Sequence, residues 1–151
     1  MSPRYEEPNR AARAANRVIR WLADAGISIA GTRALRVRGR TTGKPRAVVI
    51  NLLTVDGVDY LVSPRGNTQW ARNVRAAAVV EVGPRWHRRS LRASEVEDAA
   101  KPEVLRRYLA RWHWQVKDYV AGLTPDSSDE QFRAAAPTIP VFALTPIGAA
   151  G

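Results

Sequence analysis

Hydrophobic positions change their spacing several times along this chain, and each change marks a new element. From Pro8 to Ala25 the spacing predicts an amphipathic helix. Val18, Ile19 and Leu22 form its apolar stripe, with Ala11, Ala14 and Ala15 behind them. Arg10, Arg13, Arg17 and Arg20 share another face, and Gly26 stands where a C-cap would. After Gly31 the rhythm turns to β. Thr32–Val37 reads as a strand, and Gly39–Pro45 as a turn punctuated by two glycines and a proline. Arg46–Val55 is a long β-rich run that looks buried on both sides for part of its length. Asp56-Gly57 and a second run, Val58–Ser63, complete a strong hairpin signal.

Pro64–Thr68 reads as a loop, and Thr68 can cap a short helix reaching Arg75. Ala78–Val82 is a further strand, followed by a Gly83-Pro84 turn. His87–Val96 is a sixth-strand candidate interrupted by charge. Pro102 suits the first turn of a helix that runs to about Ala121. Its inward face is Leu105, Tyr108, Leu109, Trp112, Val116, Tyr119 and Val120, and Gly122 ends it. Ser127 or Ser128 caps a short helix through Ala135, and Val141–Leu144 closes the series as a strand between Pro140 and Pro146.

Five or six antiparallel strands without a βαβ rhythm argue against a Rossmann sheet. The expected class is α+β, mainly β: a small barrel with an N-terminal helix and a helical segment before the last strand. Closure removes exposed strand edges. The whole is one domain, with a lead-in over 1–30 and the barrel over 31–151.

Composition then narrows the chemistry. The chain has no cysteine, which excludes disulfides, thiolate catalysis and Cys-based metal sites. His87 and His113 are its two histidines, and neither has a ligand-like spacing to other donors, so no metal site is expected. No apolar run approaches a spanning helix. Met1–Asn16 carries Glu6, Glu7 and three arginines without an apolar core, so a secretory signal is not expected and the cytoplasm is the default. The net charge is +10 and uneven. Residues 1–50 hold 11 Lys/Arg against 3 Asp/Glu, and residues 51–151 hold 13 against 11. An arginine-rich genome accounts for part of this. The remainder implies an acidic partner: nucleic acid, an anionic membrane or a polyanionic small molecule.

Three segments could carry chemistry. Arg38–Arg46 sets four cations, two hydroxyls and two glycines in a strand–strand turn. Glycines let backbone N–H groups approach an anion, and Arg and Lys add charge-assisted bonds. The other reading is a solvated basic hairpin tip. Ser63–Asn73 ends a strand, turns through Pro64, Arg65 and Gly66, and opens a helix, whose start favours anions. Trp70 there either stacks on a ring system or pins the helix to the barrel. Tyr108, Trp112 and Tyr119 share a helix face, as a core stripe or as a wall for an apolar substrate, while His113 and Trp114 point elsewhere. Candidates for acid, base or nucleophile are few beside these anion-binding turns. That balance suggests that a cofactor does the chemistry.

Taken together the turns carry a resemblance. Val37–Arg46 is similar to a basic "GR-x-(S/T)-G-x-x-R" turn, Ser63–Ala76 to an "S-x-x-G … W-x-x-N-L-x-A" segment, and Ile139–Pro146 to a closing "hPVhxLxP" strand. In this order the three resemble the deazaflavin (coenzyme F420)-dependent nitroreductase family, from about Arg33 to Pro146. The resemblance implies a split β-barrel shared with flavin-mononucleotide oxidases, and an F420 cofactor lying in its groove. It implies that Arg40, Thr41, Thr42 and Arg46 hold the phosphate and acidic tail, with Gly43 and Lys44 in the same cofactor site. Ser63, Pro64, Arg65 and Gly66 would line the deazaflavin edge, with Trp70 and Asn73 shaping the same pocket. Thr41 stands where relatives often carry Lys or Arg, and Pro64 replaces a more usual polar residue.

The implied reaction passes a hydride to a quinone, nitroaromatic or enone. Tyr119, or else Tyr108 or Trp112, is the candidate for the substrate-side wall. FMN in the same fold is the alternative cofactor. A basic module binding nucleic acid or a membrane surface is the alternative of another class. Trp21 is the one aromatic of the first helix, which argues against nucleic acid. Two assemblies stay open: a homodimer, and a peripheral membrane contact through the first helix.

Overall fold

A computed structural model describes residues 32–83, 88–116 and 120–147. The N-terminal helix with its arginine stripe, the lead-in over 1–30, His87 and Tyr119 lie outside the described residues. Six strands form a closed antiparallel barrel in the order β1-β2-β3-β6-β5-β4. They are β1 (Thr32–Arg38), β2 (Pro45–Val55), β3 (Val58–Val62), β4 (Val79–Val82), β5 (Arg89–Glu95) and β6 (Val141–Pro146). Among the described residues three α-helices accompany them: α1 (Gln69–Ala77), α2 (Lys101–Val116) and α3 (Asp129–Ala135). Six antiparallel strands with peripheral helices are the expected α+β barrel.

Local chemistry explains most boundaries. Asp56 and Gly57 adopt φ of 50° and 81°, as a two-residue hairpin turn between β2 and β3 demands. The Thr68 side chain accepts from the Ala71 N–H and caps α1. Ser128 and Gln131 form a reciprocal capping box at the start of α3. Helix α1 runs two residues past Arg75 and ends on Ala78 in the left-handed region (φ 60°), whose N–H bonds the Val74 carbonyl.

Two cores result, and they share β2, β3 and β6. Leu35, Ile50, Leu61, Val80, Leu91 and Phe142 fill the barrel, and Ala71 and Val74 of α1 pack against them. On the outer side of the sheet, Leu53, Val62 and Val141 meet Leu105, Tyr108, Leu109 and Trp112 of α2, with Phe132 of α3. Strand β2 therefore buries Ile50 inward and Leu53 outward, which is why its sequence reads as buried on both sides. Strand β5 turns only Leu91 and Ala93 inward, and its other positions are charged or serine. At the start of α2, Lys101 is 3% exposed, because its Nζ bonds the Ala136 carbonyl at 2.9 Å and pairs with Asp98 at 2.8 Å.

Tyr108 and Trp112 are 2% and 1% exposed and pack against each other in this outer core, their rings tilted at 50° with centroids 5.1 Å apart. Neither can wall a substrate site. Burial pushes the Tyr108 phenol up to about 12, opposed by a bond that Asn51 Nδ2 donates to it at 3.4 Å. A phenol whose folded pKa exceeds its ordinary 10.0 keeps its full contribution to stability below pH 10 and loses it as pH rises towards 12. Urea unfolding across that interval should show this loss in the natural chain. Tyr108→Phe should flatten it.

Candidate functional site

The turn between β1 and β2 folds back on itself. Gly39 N–H donates to the Lys44 carbonyl at 2.8 Å, and Gly43 N–H to the Gly39 carbonyl at 2.9 Å. A side chain at Gly39 would be crowded: a Cβ there would sit 3.1 Å from Thr42 Oγ1 and 3.2 Å from the Lys44 carbonyl oxygen. Thr42 Oγ1 in turn accepts from the Lys44 N–H at 3.2 Å. This tight loop exposes Arg38, Arg40, Thr41, Thr42, Gly43, Lys44 and Arg46. Among the described residues no carboxylate pairs with Arg38, Lys44 or Arg46.

The loop after β3 is organised from within. Ser63 is fully buried, its Oγ donates to the Gly66 carbonyl at 2.6 Å, and it lies 2.9 Å from Thr68 Oγ1. Gly66 takes φ 100°, and its N–H returns to the Ser63 carbonyl at 3.1 Å. Pro64 and Arg65 are half-buried beside it. Trp70 packs half-buried against the barrel core, so it does pin α1 to the barrel while keeping part of its surface accessible.

Arg40 joins the two segments. Its backbone N–H and its Nη1 both donate to Asn73 Oδ1, at 3.1 and 2.8 Å, and its Nη2 donates to Gln69 Oε1 at 2.9 Å. Asn73 is 7% exposed, so it serves the site as the acceptor that holds the turn against α1. The structure therefore brings Arg40, Trp70, Asn73 and their two segments together, although 33 residues separate Arg40 from Asn73. Gln69 escaped the sequence reading, since only the folded distance marks it.

The two segments contain no Asp or Glu. Their donor set is cationic and hydroxylic at one end. The other end offers a half-buried indole and a glycine turn. That chemistry fits a ligand carrying an anionic tail on a flat ring. Beside the turn, a cavity of about 510 Å3 opens along β1, β4 and β5, lined by Arg36, Arg38, Pro45, Val79, Glu81 and Arg88. It meets the turn at Arg38 and Pro45, and neither Trp70 nor the Ser63–Thr68 loop lines it. The charge pattern of the paired segments, rather than this cavity, marks the candidate site. Among the described residues no group of three or more His, Asp or Glu could hold a metal ion, and no helix is long and apolar enough to cross a membrane.

Solved structures of the same fold include small barrels of diverse description. A protein of unknown function from Agrobacterium tumefaciens is 22% identical over 97% of this chain, with a TM-score of 0.55, and this chain spans 60% of its length. A domain-swapped dimer is 16% identical, covering 89% of this chain and 96% of its own, with a TM-score of 0.55. An F420-H2 dependent reductase is 18% identical, covering 76% and 94%, with a TM-score of 0.51. No curated protein matches the chain. These likenesses, all under 25% identical, show a shared small-barrel fold. The chain belongs to the F420H(2)-dependent quinone reductase family, whose model matches residues 12–146. Its cofactor is F420.

Proposed function

We propose that this chain reduces a quinone with F420H2, holding the cofactor across the paired turns. The observation that carries this reading is the Arg40–Asn73 junction, which holds the turn against the helix of Trp70; among the described residues the turn's Lys44 and Arg46 pair with no carboxylate. Lys44 and Arg46, with Thr41, Thr42 and Gly43, would bind the phosphate and the acidic tail by charge-assisted bonds. Arg40 has both terminal nitrogens on Asn73 and Gln69, so its part is chiefly to hold the turn in place. Ser63, Pro64, Arg65 and Gly66 would flank the ring, with Trp70 shaping that end of the groove.

F420H2, when bound, supplies two electrons as a hydride. The chain's own share is positioning and the exclusion of water. A quinone accepts a hydride and a proton to become a hydroquinone, and solvent supplies the proton in this reading. Nitroaromatics and enones are electrophiles of the same kind and belong to the same proposal. A homodimer does as well, given that a solved structure of this fold is a domain-swapped dimer.

The test is an anaerobic assay with F420H2 and menadione. Oxidised deazaflavin absorbance should return in proportion to menadione consumed. If menadione, nitroaromatics and enones all leave F420H2 unoxidised, the acceptor assignment fails.

A further inference from the structure

The Ser63–Thr68 loop is held from outside as well as from within, and the outer hold involves groups with no part in the ligand reading so far. Asn67 lies between Gly66 and the capping Thr68. Its carbonyl accepts from Arg72 Nε at 3.0 Å, and its Oδ1 accepts from Arg75 Nη1 at 3.1 Å. The Arg75 guanidinium is itself fixed. Its Nε and Nη2 donate to the two oxygens of Glu95, each at 2.8 Å, and it lies 6.0 Å from the Phe142 ring centroid. All three guanidinium nitrogens are thus engaged, in the planar fork that suits a carboxylate. Glu95 ends β5 opposite Phe142 of β6. The bond to Arg75 holds its carboxyl below the usual carboxylate range.

We propose that Arg75 and Glu95 are positioning residues that set the cofactor loop against the barrel wall through Asn67. The inference rests on the reading of that loop as the ring end of the F420 groove. Its physical basis is a mismatch between what the pair contributes to stability and what it fixes. The two side chains are 41% and 37% exposed, so the ion pair adds little to global stability. Yet it is the β5 anchor of the loop's outer hold, and it sets the direction from which Asn67 is held. Freeing the loop adds conformations that must be lost again when the cofactor binds. Such a change weakens binding more than it slows turnover.

The experiment measures F420 affinity, KM, kcat and thermal midpoint for the natural chain and three variants. Glu95→Gln removes the charge from the fork. Arg75→Lys keeps the charge but cannot reach both Glu95 oxygens and Asn67 together. Arg75→Glu with Glu95→Arg restores an ion pair but gives Asn67 no donor. Each should raise Kd and KM for F420 by about tenfold, with kcat within about twofold and a midpoint close to natural. A merely structural pair would lower the midpoint and leave KM unchanged.

Natural KM in Glu95→Gln and Arg75→Lys, or its full recovery in the charge swap, overturns the inference while the F420 reading stands. Absence of F420 binding by the natural chain removes that reading, and the inference with it.

Discussion

Alanine at both Lys44 and Arg46 is expected to weaken F420 binding about a hundredfold while leaving the thermal midpoint unchanged. Each charge-assisted bond to an anion contributes roughly 1.5–3 kcal/mol. Losing two removes about 3 kcal/mol, and tenfold in affinity is about 1.4 kcal/mol. Both side chains are exposed and pair with no carboxylate among the described residues, so the fold does not depend on them. The loss should be larger at low salt than at high salt, because exposed charges are screened. Isothermal titration of the double variant at two ionic strengths checks both statements. An unchanged affinity would mean that the turn is a solvated hairpin tip.

Trp112→Ala should do the reverse. Trp112 is 1% exposed, packs its ring against Tyr108 and has the Arg111 guanidinium 4.5 Å from its ring centroid. Truncating a buried tryptophan costs about 3–5 kcal/mol. That is a large part of the 5–15 kcal/mol typical of a domain. The thermal midpoint should fall by roughly 10 °C. The cavity opens in the outer core between α2 and the sheet, whereas the cationic turn sits against α1. F420 affinity of the folded fraction at low temperature should stay within about threefold of natural. A parallel loss of affinity would show that the outer core and the turn pair are coupled.

What the sequence made legible was local. The Asp56-Gly57 hairpin, the Thr68 cap and the Ser128 cap each depend on neighbours within a few residues, and each is where the pattern put it. The two-sided burial of β2 was legible too, because a strand covered on both faces loses its alternation. The inward stripe of α2 followed from helical spacing, although that same stripe also left open a substrate wall at Tyr108 and Trp112. Burial in the outer core decides against it.

Long-range partners left no such trace. Strand β3 pairs with β6 across α1, β4, β5, α2 and α3, and no local signal names that partner. The sequence shows Arg40 as a cation in a glycine turn, and the resemblance implies a phosphate contact for it. Only the fold shows its two terminal nitrogens committed to Asn73 and Gln69. Arg75 and Glu95 were read as parts of a helix and a charged strand, 20 residues apart. The resemblance supplied the motifs in order, and the barrel supplies the distance between them.

The central claim is that the paired turns form one groove for F420. Titrating the natural chain with oxidised F420, with FMN in parallel, tests it most directly through tryptophan fluorescence, since the proposal puts Trp70 at the ring end. The account predicts saturable F420 binding in the micromolar range, with quenching, and weaker binding of FMN. Tight FMN binding with no response to F420 would contradict it.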